Sequence, residues 1–479
     1  MTLTGSTIAR NTLFYSAALT VQKLLSFFYF SFLARSLGSV TTGKYFFALS
    51  VGGIVAGIID VGLTPVLVRE TAKDTQQASR LVSTIITFKL ILVSMLTVLA
   101  VLFVHRLFPD PVTRQLVVAA LIIAVFDSFA MTFFATIRAH QNLLYESISA
   151  ILFYCIVIAL GTYAIIQRYD VRVIILALLA ASFWNMLFGY LMLTKKIGTR
   201  VRVFWESVSA KSIAYAAIPF AIAAAFIKVY AYLDTVMLKY FVGDAAVGIY
   251  SVPYKITFAF QFIPMALVAA LYPAFSYYWK HNAEELGRSF AKSFRYLLIV
   301  SLPIAGGLFA VAPALIPFVY SDAYTYSIAP LMILLVSLPF LFINFPIGSL
   351  LNACNRQTRQ TIHLGVTMLC NAALNYVLIP RYGVIGAAVA STVSTIFIFF
   401  LGMFVVAKLV RVEWSSVLRF SAGAIAVTLA MVASVFFFST IMPWFLAVVP
   451  AAIVYCVGLY ILRVVTKNDV VEFMQLFKR

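Results

Sequence analysis

Leu33 to Tyr45 reads LARSLGSVTTGKY, and Leu238 to Tyr250 reads LKYFVGDAAVGIY. Leu33, Gly38, Gly43 and Tyr45 in the first stretch recur at the same spacing as Leu238, Gly243, Gly248 and Tyr250 in the second, an offset of 205 residues. Carried upstream, the same offset sets Lys23 on Lys228. A weaker match sets ATIRAHQN from Ala135 beside SLLNACNR from Ser349 and preserves the number of apolar stretches between the two blocks. Similarity at one fixed offset marks a duplicated unit, so the chain is read as two related halves.

The surroundings of the repeat decide what kind of unit it is. Of 479 residues 63% are hydrophobic and 11% charged, and the mean hydropathy is +1.02, which excludes a soluble protein. A hydrocarbon core of about 30 Å takes about 20 apolar residues per helix, so about fourteen spans and their loops fill the chain and leave no room for a globular domain. Apolar runs bounded by charges or Gly/Pro turns predict spans at 11–35, 45–67, 81–104, 114–137, 147–167, 172–194, 213–241, 247–276, 292–315, 326–351, 360–379, 384–407, 416–439 and 442–463. Six spans per half is an even number, so both halves enter the membrane with the same orientation, related by an axis along its normal. The predicted fold is an all-α polytopic membrane protein with two six-helix lobes as a parallel repeat plus two C-terminal helices. Its parts are an N-lobe at 1–195, a connecting loop at 196–212, a C-lobe at 213–408, the extra helices at 409–463 and a tail at 464–479. In that tail Val470, Phe473, Met474 and Phe477 share one face with basic residues at the end, the pattern of an interfacial helix.

A net charge of +19 in a soluble protein would suggest nucleic acid; in a membrane protein Lys and Arg report orientation first. Most loop cations, among them Arg69, Lys73, Arg80, Arg138, Lys195, Lys196, Arg288 and Arg295, fall on the side of the N-terminus. That places both termini in the cytoplasm of a cell's inner membrane. Arg10 precedes a long apolar stretch without a small-residue cleavage pattern, so the first span is read as retained. Cys155, Cys354, Cys370 and Cys456 lack metal-ligand spacing and read as packing residues. No Ser/His/Asp arrangement and no paired carboxylates on a long outer loop occur, which disfavours an enzyme such as a membrane glycosyltransferase or polymerase. No cofactor is implied.

Three segments carry a family resemblance. NYVLIPRYGVIGAAVAS from Asn375, GDAAVGIYSVPYKI from Gly243 and IIDVGLTPVLVRE from Ile58 resemble the polysaccharide transport, or oligosaccharide flippase, family of the multidrug/oligosaccharidyl-lipid/polysaccharide exporter superfamily. The similarity runs over nearly the whole chain. Its motifs are small-residue turns and packing faces, which specify fold better than substrate. The resemblance implies two lobes around a central cavity and alternating-access flipping of a polyprenyl-(pyro)phosphate-linked oligosaccharide, alongside polysaccharide-assembly proteins. A multidrug exporter of the same superfamily is the nearer alternative.

The residues themselves point to charges inside the membrane. An ionised side chain at a span centre costs about 2.5 to 3.5 kcal/mol on insertion scales, so such groups line water-filled cavities or pair. Lys23 and Lys228 fall at the centres of spans 1 and 7. Thr12, Ser16, Thr20 and Lys23 form a polar stripe on the first, and Lys228, Tyr232 and Thr235 form one on the second. They and Lys255 are the candidate substrate-binding residues, since ammonium groups suit a pyrophosphate headgroup. Asp234 and Lys255 lie at matching depth and can instead pair. Asp60, Lys89 and Asp127 also share one depth, either as a structural triad or, with one carboxylate left over, as a site for H+ or Na+ coupling. Asn371 and Asn375, one turn apart, are expected to bond across helices, and the every-fourth-residue series Gly386, Ala390, Ser394 is expected to pack closely on a neighbour. Pro65, Pro109 and Pro111 are the only ones of 16 prolines before residue 218, so bends are expected in the second half, with Pro253 and Pro264 as candidates in span 8.

Overall fold

The structure, a computed structural model, describes residues 5–203, 207–462 and 464. The side chains of Thr12 and Ser16 and the predicted interfacial tail from Thr466 lie outside the described residues. Helices α1 (Gly5–Asp60), α2 (Leu63–Lys73), α3 (Ala78–Leu107), α4 (Pro111–Ala139), α5 (Leu144–Ile166) and α6 (Val171–Met192) are followed by α7 (Ser207–Phe241), α8 (Asp244–Ala259) and α9 (Phe262–His281). Then come α10 (Ala283–Tyr320), α11 (Ile328–Ala353), α12 (Gln357–Leu409), α13 (Trp414–Ser439) and α14 (Trp444–Ile461).

Twelve helical stretches among the described residues are long and apolar enough to cross a membrane. Two of them are too long to cross once. A straight helix of the 56 residues of α1 would run about 84 Å, nearly three hydrocarbon thicknesses. Gly38, with φ 72, breaks it, and the chain turns back: the Phe30 and Phe46 rings lie 6.1 Å apart, where a straight helix would separate them by about 24 Å. Gly383, with φ 54, divides the 53-residue α12 in the same way into arms at 357–382 and 384–409. With both divided, the spans number about fourteen, as the apolar runs predict.

Spans 2 and 8 differ from expectation: neither is one continuous helix. Val61 (φ 43) and Gly62 (φ 68) interrupt the first, and the chain resumes as α2 with Pro65 as its third residue. The second stops at Ala259 and resumes as α9 with Pro264 as its third residue. Proline fits there because the first turn of a helix has no intrahelical partner for its N–H groups. Pro264 thus marks a restart, while Pro253 lies inside a continuous α8.

The helices group into two compact units, one of residues 1–252 with 364–384 and one of residues 253–363 with 385–479. In the first, Val82, Ile86, Phe133 and Ile137 build a core between α3 and α4, and Leu63, Val66, Ala135 and Ala217 join α2, α4 and α7. Asp110 caps α4 and takes a 2.7 Å hydrogen bond from Lys44. Burial opposes ionisation of this carboxyl, but Lys44 and Thr113 hold it well below the usual carboxylate range. In the second unit α13 and α14 dock on α10 through Val311, Met431, Val435 and Ala451. Pro303 has no N–H for the Ile299 carbonyl one turn back, and the Tyr455 hydroxyl donates to that carbonyl at 2.9 Å.

The repeat is visible as a contact. A Cβ on Gly43 would lie on the Asp244 carbonyl, and a Cβ on Gly248 would lie on the Ser39 carbonyl. Asp244 is Ser39 shifted by the repeat offset, and Gly248 is Gly43 shifted likewise, so the two turns meet across a local two-fold axis. Each glycine is needed because main chain stands where its side chain would be. Leu33 and Leu238, just before the turns, are fully buried. Gly43→Leu should therefore force this contact open. A cysteine at position 33, sealed in the parent, should react with a membrane-impermeant thiol reagent about tenfold faster or more in the Gly43→Leu background; an unchanged rate would mean the turns do not seal these positions.

Candidate functional site

The breaks in span 2 put a helix end beside a carboxylate. Asp60 is the last residue of α1, where the backbone carbonyls already concentrate negative charge, so an unpaired carboxylate would be doubly unfavourable there. Lys89, fully buried on α3, meets it: its ammonium donates to Asp60 Oδ1 at 2.8 Å and to the Ser128 carbonyl and hydroxyl at 3.0 Å each. Thr64, in the first turn of α2, donates to the same carboxylate oxygen. The three ammonium donors are thus directed at Asp60 and Ser128, and Asp127, one residue from Ser128, points its chemistry elsewhere.

Asp127 lines a cavity of about 430 Å³ within the first unit, together with Tyr15 and Gln22 of α1, Glu146 and Tyr154 of α5 and Asn185 of α6. The α1 residues that reach it, Tyr15, Leu19 and Gln22, are spaced by four and three and share one face. Glu146 accepts from Tyr15 at 3.1 Å and from Arg138 at 2.9 Å, while Asn185 accepts from Ser149 at 2.6 Å. One more Glu146 oxygen, Oε2, is buried without a hydrogen-bond partner, as is Arg138 Nε. Sequence reasoning missed Glu146 and Arg138 as site residues because both stand at span ends, where charges read as loop groups.

Lys228 and Lys23 are both half-buried, on α7 and α1. The Lys228 stem crosses Gly57, where a Cβ would stand 2.7 Å from its Cγ, and the Tyr232 ring crosses Gly53 one turn away. Glycines on span 2 thus let α7 come close enough for its polar residues to lie against that helix.

Asp234, nearly buried on α7, accepts from the Tyr250 hydroxyl at 2.7 Å and from Asn375 Nδ2 at 2.6 Å. Asn375 also donates to Asn371 at 3.0 Å, so the expected cross-helix bond of this asparagine pair is made to a carboxylate. Asn375 Oδ1 is buried without a donor. Lys255, half-buried, stands on the part of α8 that belongs to the second unit.

Residues 8–279 match the family described as polysaccharide biosynthesis protein. The chain belongs to that family. Residues 219–377 also match the MatE family. Among curated proteins, the chain is 22% identical over 376 residues to the probable low-salt glycan biosynthesis flippase Agl15 of Haloferax volcanii, covering 77% of each chain. It is 31% identical over 179 residues to the probable flippase AglR of the same organism, covering 34% of this chain and 35% of that protein. Among solved structures, the lipid II flippase MurJ in an inward closed conformation superposes with a TM-score of 0.77 at 15% identity, over 94% of this chain and 98% of that one. An inward-facing multidrug resistance MATE transporter of the MOP superfamily gives 0.67 at 17% identity, over 81% and 95%. Members of this family are polytopic membrane transporters, not enzymes, and the chain shares their fold.

The Asp60–Lys89 pair provides a test of how the site is held. Removing one partner leaves a buried charge, so Lys89→Met alone should destabilise the detergent-solubilised protein by about 3 to 5 kcal/mol. Lys89→Met combined with Asp60→Asn should recover more than half of that loss, read as the thermal midpoint of the purified variants. Equal stability of the single and double variants would show that the two charges do not depend on each other.

Proposed function

We propose that the protein is a flippase that carries a polyprenyl-(pyro)phosphate-linked oligosaccharide across the cytoplasmic membrane, both termini cytoplasmic, by alternating access coupled to H+ or Na+. The observation that carries this reading is the pair Lys23 and Lys228, equivalent in the repeat, central in their spans and half-buried instead of sealed in a packed core. A cation at mid-membrane is retained against a cost of a few kcal/mol only where it meets water, a counter-charge or an anionic ligand. The family match and the flippases among its relatives support the same substrate class. A cationic-drug exporter has one observation in its favour, the carboxylates of the 430 Å³ cavity. There, however, Arg138 already pairs with Glu146.

Loss of one charge-assisted contact costs about 1.5 to 3 kcal/mol, or roughly 10- to 100-fold. Lys23→Ala and Lys228→Ala should each slow flipping of a lipid-linked oligosaccharide in proteoliposomes by that factor while the protein stays folded. Transport at the parent rate by both variants would remove the substrate role.

Coupling is assigned to Asp127, the cavity carboxylate left outside the Lys89 pair. Asp127→Asn should leave substrate binding intact and abolish the response of flipping to an imposed pH or Na+ gradient. A variant that keeps the full gradient response would exclude Asp127 as the coupling group, with Asp234 next in line.

A further inference from the structure

On the cation-rich side of the membrane, within the second unit, a cavity of about 670 Å³ lies between the start of α10 and the corner that joins α12 to α13. Four cations line it, Arg288, Lys292, Arg295 and Arg411, against two carboxylates, Glu284 and Glu413. Arg288 is engaged by Glu284 at 3.0 Å and by Glu285. Arg411 makes no salt bridge among the described residues. Arg295 is held in place without a carboxylate: its Nη2 donates to Ser416 at 2.8 Å, its guanidinium lies 5.4 Å from the centre of the Phe420 ring, and its Nε is buried with no hydrogen-bond partner. A guanidinium fixed by stacking, lining the cavity without a carboxylate of its own, is prepared for an oxyanion.

The cavity is closed by main chain. A Cβ on Gly287 would overlap the Arg411 carbonyl, so the glycine lets the corner come up to α10 and sets Arg411 near the row Arg288, Lys292, Arg295. That row follows a spacing of four and three and shares one helix face. Ser416 and Phe420, the partners of Arg295, belong to the first two turns of α13, the level at which lipid phosphates meet the hydrocarbon. Trp414, a residue type that prefers this interface, lines the cavity, and Leu418 one turn deeper is 68% exposed.

We infer that this cavity binds the phosphate of an anionic phospholipid from the surrounding bilayer, its acyl chains running along the exposed face of α13. A lipid, and not a soluble phosphate, is the occupant because the basic end of the site adjoins apolar surface at the membrane boundary. The site is separate from the substrate lysines and does not depend on the flippase reading.

The test is native mass spectrometry of the full chain in detergent with added phosphatidylglycerol and, in parallel, phosphatidylcholine. The parent should retain one phosphatidylglycerol with a preference of about tenfold or more over phosphatidylcholine, and millimolar inorganic phosphate should not displace it. Arg411→Gln, on an exposed corner, and Arg295→Gln should each lower that preference about five- to tenfold. Gly287→Leu, which pushes the Arg411 corner away from α10 without removing charge, should lower retention as well. Undiminished preference in Arg411→Gln and Gly287→Leu overturns the site even if Arg295→Gln fails to fold. Displacement by inorganic phosphate overturns the lipid as occupant, and a parent without preference overturns the proposal outright.

Discussion

Inside hydrocarbon an N–H, a carbonyl or an ammonium group has no solvent to turn to, and most of the polar architecture of this chain follows from that constraint. Lys89 directs its donors at Asp60 and Ser128. Asp234 is met by a tyrosine and an asparagine from two other helices. The Ile299 carbonyl, deprived of its partner by Pro303, receives the Tyr455 hydroxyl from α14. In each case a residue from a different helix completes the valence, so satisfying polar groups is also what joins the helices together. The two C-terminal helices illustrate this well, since one of their links to α10 is a reply to a proline.

Where the constraint is met incompletely, chemistry becomes available. The second span of the chain is broken at Val61 and Gly62, and its upstream end carries Asp60. The neighbouring cavity holds Asp127 together with a Tyr15–Glu146–Arg138 network that still has a buried donor and a buried acceptor unmatched. Broken helices and polar cavities at one level of a membrane protein are where ions and substrates can be handled without exposing backbone to lipid.

The apolar runs were enough to place the spans, because hydrocarbon thickness sets their length, and the recurrence of Gly38 and Gly43 as Gly243 and Gly248 located the two equivalent turns. The interruptions within spans 2 and 8 were less legible. Val61 takes a positive φ that its own side chain disfavours, so packing imposes the break, and Pro65 and Pro264 read equally well as kinks. Position along the chain suggests that Asp60, Lys89 and Asp127 share a depth, but it carries no azimuth. Lys89 turned toward Ser128, and the adjacent Asp127 faces a different space. Glu146 and Arg138 escaped notice because a charge at a span end is ordinarily solvated, and nothing in the local sequence says that α1 will lean over it with Tyr15.

The reciprocal contact of the two turns has the form of a subunit interface. In an isologous interface the same patch serves both partners: residue i touches j while j touches i. Gly43 on Asp244 and Gly248 on Ser39 obey that rule, although both patches now belong to one polypeptide. This is the geometry that two separate copies of a half-length chain would adopt on pairing side by side in one bilayer. The single chain thus holds as an internal seam what a homodimer forms between subunits, with glycine required on both sides where it meets main chain.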